Sequence, residues 1–129
     1  MSKNCYAVCV SAEAQNPQIV SLSDTSPQEK ARLLLDTDVT ERLRVSVMPP
    51  FLHDCDRVLC YLIDGRGGEK SLPANICGTC LYHSGNTIYG DLLFVLCNPQ
   101  EQDETIFGLE QSQAEQLCIW LREQFGFLE

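Results

Sequence analysis

Leu92-Leu93-Phe94-Val95-Leu96-Cys97 is the longest purely apolar run in the chain, and its length decides what kind of fold surrounds it. A membrane span needs roughly 20 apolar residues, so six are far too few and the run reads as a buried strand. Asp91 precedes it, and the turn signal Ser84-Gly85-Asn86 separates it from another strand candidate, Asn75 to Tyr82. Further back, Arg57 to Ile63 is strand-like and runs into Asp64-Gly65-Arg66-Gly67-Gly68, whose glycines permit a tight or mobile reversal.

In Glu41 to Met48, Leu43, Val45 and Val47 alternate with Arg42, Arg44 and Ser46, the pattern of a half-buried strand, and Pro49-Pro50 ends it. Cys5 to Val10 and Gln18 to Leu22 complete the strand candidates and are expected to pair as a hairpin. Ser26-Pro27-Gln28-Glu29 has the form of a capping box with proline at the first helical position, which predicts a helix from about Pro27 to Asp36. Beyond the acidic stretch Asn98 to Glu104, Thr105 to Leu109 forms a short strand or lead-in. A last helix is predicted from Gln111 to Phe125, with Gly126 just past its end. Ala114, Leu117, Cys118, Leu121 and Phe125 share one face of that helix, while Ile119 and Trp120 fall off it.

These elements predict a single α+β domain over residues 1–129. Its mostly antiparallel β-sheet has a short helix after the first hairpin and a C-terminal helix packed on the sheet. A sheet covered on one side leaves apolar area on the other, so with Ile119 and Trp120 off the helix's main face a homo-oligomer is expected.

Composition narrows the function classes. Hydrophobic residues are 44% and charged residues 21%, the balance of an ordinary globular domain. Cys5-Tyr6-Ala7-Val8-Cys9-Val10 is too short for the core of a signal peptide, so the chain reads as cytoplasmic, without membrane attachment. Its eight cysteines are below the density of a disulfide scaffold and fall mostly in apolar runs, as reduced core thiols do. The net charge is −9, with the acidic excess concentrated after residue 90. General binding to a nucleic-acid backbone is therefore not expected, although the nearly neutral first 90 residues can still form a pocket for a small anion.

Several residue groups invite a chemical reading. Cys77-Gly78-Thr79-Cys80 with His83 has partial metal-ligand spacing, and a fourth ligand would come from Cys55, Cys60 or His53. On a strand, however, the two cysteines point to opposite faces, and packed thiols are the simpler reading. A redox role for the pair needs a helix N-terminus. In His53-Asp54-Cys55-Asp56 the aspartates disfavour a thiolate, and His83-Ser84-Gly85 lacks the nucleophile elbow. No catalytic residue, metal or cofactor is assigned. The Gly65 to Lys70 loop places Arg66 and Lys70 beside backbone amides that could wrap a phosphate, while a hairpin turn with solvated charges is the plainer alternative.

From Arg57 onward the order of features resembles a family of small bacterial and phage proteins grouped as a domain of unknown function (DUF3846). The matching stretches are Arg57-Val58-Leu59-Cys60-Tyr61-Leu62-Ile63, Ser71-Leu72-Pro73-Ala74-Asn75, Thr87-Ile88-Tyr89-Gly90-Asp91-Leu92-Leu93-Phe94-Val95, and Phe107-Gly108-Leu109 before the final helix. Where the family has a basic residue after the asparagine, this chain has Ile76. The resemblance implies no activity. It does imply a setting among phage and mobile-element accessory genes, whose small products often block a host defence.

Two expectations follow. One is a counter-defence sponge that binds a nucleotide-derived immune signal without cleaving it, using Arg57, Arg66, Asn75, Tyr82 and Tyr89. The other is an acidic inhibitor that meets a host defence protein or nuclease through Glu101, Asp103, Glu104, Glu115 and Glu123.

Overall fold

The structure is a computed structural model, and it describes residues 6–13, 16–22, 26–45, 49–52, 57–82, 87–98 and 105–124. In chain order the elements are β1 (Tyr6–Val10), β2 (Pro17–Ser21), α1 (Pro27–Leu35), β3 (Thr40–Arg44), a single 3-10 turn (Pro50–Leu52), β4 (Val58–Asp64), α2 (Ile76–Leu81), β5 (Leu92–Cys97), β6 (Ile106–Phe107) and α3 (Gln111–Gln124). The strands form one antiparallel sheet in the order β2-β1-β5-β4-β3, with β6 added to β5. The α+β architecture expected from the sequence is present. None of the described helices is long and apolar enough to cross a membrane.

The apolar run is the central strand. Leu92, Phe94 and Leu96 enter one core cluster and Leu93, Val95 and Cys97 the other, because successive side chains on a strand point to opposite faces. A strand covered on both faces has to be apolar at every position. On the first face α3 lies against β1 and β2, and Ala114, Leu117, Cys118, Trp120 and Leu121 join Val8, Tyr61 and Phe94. On the second face α1 places Ala31 and Leu35 over Cys60, Leu62 and Leu93. The Ser26 Oγ accepts the Glu29 N–H at 3.2 Å, so α1 begins as the capping box predicted.

Three expectations are corrected. The sheet is covered on both faces and not on one, and Trp120 is buried in the first cluster, so of the apolar surfaces expected to be open only Ile119 is left. The segment from Asn75 to Tyr82 is helix and not strand. Asn75 caps α2 by accepting the Gly78 N–H at 3.0 Å, and the buried residues Cys77, Gly78 and Leu81 recur at helical spacing. Lastly, β3 ends at Arg44, and Val45 makes only an isolated bridge to Tyr82. Phe125 and Gly126 lie outside the described residues.

Candidate ligand-binding site

The site is organised by the end of β4 and the turn that follows it. Asp64 is 3% exposed, yet its carboxylate is fully engaged: it accepts from the Thr37 hydroxyl at 2.9 Å, the Arg66 N–H at 2.9 Å and the Lys70 ammonium at 2.6 Å. Burial alone would raise its pKa, but the hydrogen bonds from Lys70, the Arg66 amide and Thr37 outweigh burial and hold it below the usual carboxylate range.

The backbone of the turn is closed as well. Gly65 N–H donates to Val39 O at 2.8 Å, Gly67 N–H to Asp64 O at 3.0 Å and Lys70 N–H to Arg66 O at 3.0 Å. The expected wrapping of a phosphate by these amides is reduced to those of Gly68 and Glu69, because Gly65, Arg66, Gly67 and Lys70 donate theirs internally. Most of what the turn presents outward is side chains.

Two clefts meet at this turn. One, of about 230 Å³, is lined by Tyr82, Tyr89, Gly67, Gly68, Ile88 and Glu41. Tyr89 is 39% exposed and lies against the turn so closely that a Cβ built on Gly67 would come within 3.0 Å of its carbonyl oxygen and 3.2 Å of its Cβ. Tyr82 is half-buried and packs against the first core cluster. The other cleft, of about 400 Å³, lies beyond the turn towards the end of α1, where Arg32, Arg66 and Lys70 converge with Asp36 and Asp38. Leu33 and Val39, both exposed, form its apolar part.

Of the residues the sequence singled out, Arg66, Tyr82 and Tyr89 are brought to this turn, with Arg66 on one side and the tyrosines on the other. Arg57 is elsewhere. Its guanidinium sits 3.5 Å from the centroid of the Phe107 ring, at the start of β4, while Arg66 follows the strand's end. A seven-residue strand is about 20 Å long, so the two arginines cannot meet one phosphate. Asn75 is buried, and its amide donates to Val10 O at 3.1 Å and Gly90 O at 3.0 Å, which leaves nothing to offer a ligand. Sequence reasoning missed Arg32 and Asp64. Arg32 looked like an ordinary charge in the last turn of a helix, and only the packing of α1 beside the turn gives it a neighbour in Arg66.

The cysteine pair takes a different form on a helix. Cys77 stands near the start of α2, but burial pushes its thiol up to about 12, with Cys80 adding to the rise, which opposes the thiolate a redox site needs. Cys80 is exposed. Among the described residues no group of three or more possible metal ligands is found, and His53, Cys55 and His83 lie outside them. Cys9, Cys60, Cys77, Cys80, Cys97 and Cys118 form no disulfide among the described residues, and four of them are buried. Glu115 and Glu123 are exposed on α3, whereas Glu101, Asp103 and Glu104 fall outside the described residues. No known protein family, curated protein or solved structure matches this chain.

Proposed function

We propose that this protein binds and sequesters a small nucleotide-type ligand at the Gly65 to Lys70 turn, without cleaving it. The observation that carries this reading is that one turn walls two clefts of complementary character, with tyrosines on one side and Arg32, Arg66 and Lys70 on the other. A nucleotide has the same two parts, a base with π faces and a phosphate. Lys70 is already paired with Asp64, so the guanidinium groups of Arg66 and Arg32 are the groups that would meet the phosphate. Neither has an ion-pair partner among the described residues. In the setting implied by the family resemblance, such binding would act as a counter-defence sponge, with the ligand a nucleotide-derived immune signal.

The test is to incubate the purified protein with a panel of cyclic oligonucleotides and cyclic ADP-ribose isomers, follow the melting temperature, then heat-denature the complex and analyse what is released. Recovery of the intact ligand, with the shift lost in Arg66→Gln and Tyr89→Ala, is the expected result. Recovery of a cleaved ligand would make the protein an enzyme.

A second reading is favoured by the outer face of α3. Glu115, Ile119 and Glu123 recur at four-residue spacing on one exposed stripe, with Ile119 55% exposed. That stripe suits an acidic surface docking on a basic host protein. If no nucleotide shifts the melting temperature, while a host nuclease is inhibited by the protein and released by Glu115→Lys with Glu123→Lys, this reading replaces the first.

A further inference from the structure

The cationic cleft does not end at Arg32. A third cleft, of about 330 Å³, continues along the seam between α1 and β3 and is lined by Gln28, Arg32, Thr40, Glu41 and Arg42. Arg32 borders both, so the two clefts adjoin at its side chain as neighbouring compartments of this seam. Val39 lies in the first and Thr40 to Arg42 in the second, which orders the compartments along the chain entering β3. Arg42 projects from the same face of β3 as Arg44, opposite Leu62 of β4, so the seam's far end is also basic.

Four of the chain's nine lysines and arginines line these two compartments: Arg32, Arg42, Arg66 and Lys70. The acidic excess of the chain lies after residue 90, so this seam sets four cations among the carboxylates of Asp36, Asp38 and the Lys70-bound Asp64 in a nearly neutral part of the chain. Each compartment lies near the lower limit of a small-molecule site, about 300 Å³, so a single mononucleotide would fill only one of them. Asp36 and Asp38 are interleaved with the cations of the first compartment, whereas Glu41 alternates with Arg42 along β3. They would repel a bare polyphosphate but can accept hydrogen bonds from sugar hydroxyls, as acidic residues do with ribose.

Resting on the ligand-binding reading above, we infer that the ligand is a dinucleotide, with one phosphate held between Arg66 and Arg32 and the second between Arg32 and Arg42. The carboxylates along the seam receive its ribose hydroxyls. Arg32 is shared by both phosphates, and Arg42, which meets only the second, is the residue on which discrimination against mononucleotides depends.

Titration calorimetry on the full chain with AMP, inorganic pyrophosphate and cyclic di-AMP tests this, using wild type, Arg42→Gln, Arg66→Gln and, as a control on the outer face of α3, Arg122→Gln. Circular dichroism and the melting temperature of each free variant verify the fold. Cyclic di-AMP should bind at least about tenfold tighter than AMP, the scale of one additional charge-assisted contact. Arg42→Gln should bring cyclic di-AMP down to the affinity of AMP, pyrophosphate should bind no better than AMP, and Arg122→Gln should change nothing. If AMP and cyclic di-AMP bind equally well and both are weakened by Arg66→Gln alone, the dinucleotide inference is overturned and the one-phosphate reading stands. If neither nucleotide binds, both fall.

Discussion

The ammonium of Lys70 lies 2.6 Å from a carboxylate oxygen of Asp64, and the two differ sharply in exposure, 40% for the lysine side chain and 3% for the aspartate. The acid is thus a buried anchor and the base its lid. Asp64 is held below the ordinary carboxylate pKa of about 3.9 in the folded protein, so its contribution to stability is fully present above that value and is lost as pH falls through it towards the folded pKa. Urea denaturation at pH 7 and at pH 3.5 should show this loss in the wild type, and Asp64→Asn should reduce the difference between the two. Lys70→Met should cost about 1–2 kcal/mol at pH 7, less than a fully buried pair because water screens the lysine. A Lys70→Met variant as stable as wild type would show that the Thr37 and Arg66 hydrogen bonds suffice.

Asn75 should behave as a structural residue. Its side chain bonds Gly78 N–H, Val10 O and Gly90 O, so Asn75→Ala strands three buried groups and should lower stability by about 2–4 kcal/mol. Asn75→Asp should be at least as damaging, since a carboxylate cannot donate to the two carbonyls it would face. Chemical denaturation measures both. A variant of normal stability that has lost only ligand binding would restore Asn75 to the site.

Gly78 is where α2 presses onto the sheet. An added Cβ would lie 2.7 Å from Leu92 Cδ2 and 3.1 Å from Ile88 Cγ2, and Gly78 O also accepts the Tyr61 hydroxyl at 2.9 Å. Gly78→Ala is therefore expected to destabilise by about 1–3 kcal/mol through overpacking, despite the better helix propensity of alanine. Gly68→Ala, whose Cβ would meet the Tyr89 ring at an ordinary 3.8 Å, should be close to neutral and serves as the contrast in the same thermal melt.

The thiols should separate by environment. Burial pushes Cys77 up to about 12, and burial with the nearby Asp91 pushes Cys9 up to about 11. Cys60 is also raised, first by its hydrogen bond with Cys97 and then by burial. Alkylation of the native protein at pH 8, followed by peptide mass spectrometry, should therefore label Cys80 first among these residues and Cys60, Cys77, Cys97 and Cys118 only after unfolding. Rapid labelling of Cys77 in the native state would contradict the burial of α2.

Much of the fold was legible because its strongest signals are local. The Ser26 to Glu29 capping box predicted α1, and the periodicity of Ala114, Leu117, Cys118 and Leu121 predicted α3. The misreading of Asn75 to Tyr82 has a local cause too. That segment is short and apolar, a length at which strand and helix patterns overlap, and the usable signal was Asn75 as a cap followed by Cys77 and Leu81 four residues apart. For the site, Tyr82, Tyr89 and Arg66 were identified as separate candidates, but nothing in sequence spacing could show that Arg57 stacks on Phe107.

By itself the amino-acid sequence determined where chain segments become strand or helix, because capping, turn residues and hydrophobic periodicity act within a few positions of one another. It also determined that Leu92 to Cys97 must be buried, since no residue in that run can face water without cost. Tertiary structure alone decided that both faces of this strand are covered, that Trp120 is inside and that Arg32, Arg42 and Arg66 border one seam. Those residues come from a helix, an edge strand and a turn. Their proximity depends on how α1 lies across β3 and β4, a choice made by the packing of Ala31 and Leu35 into the second core and not by any charge in the seam.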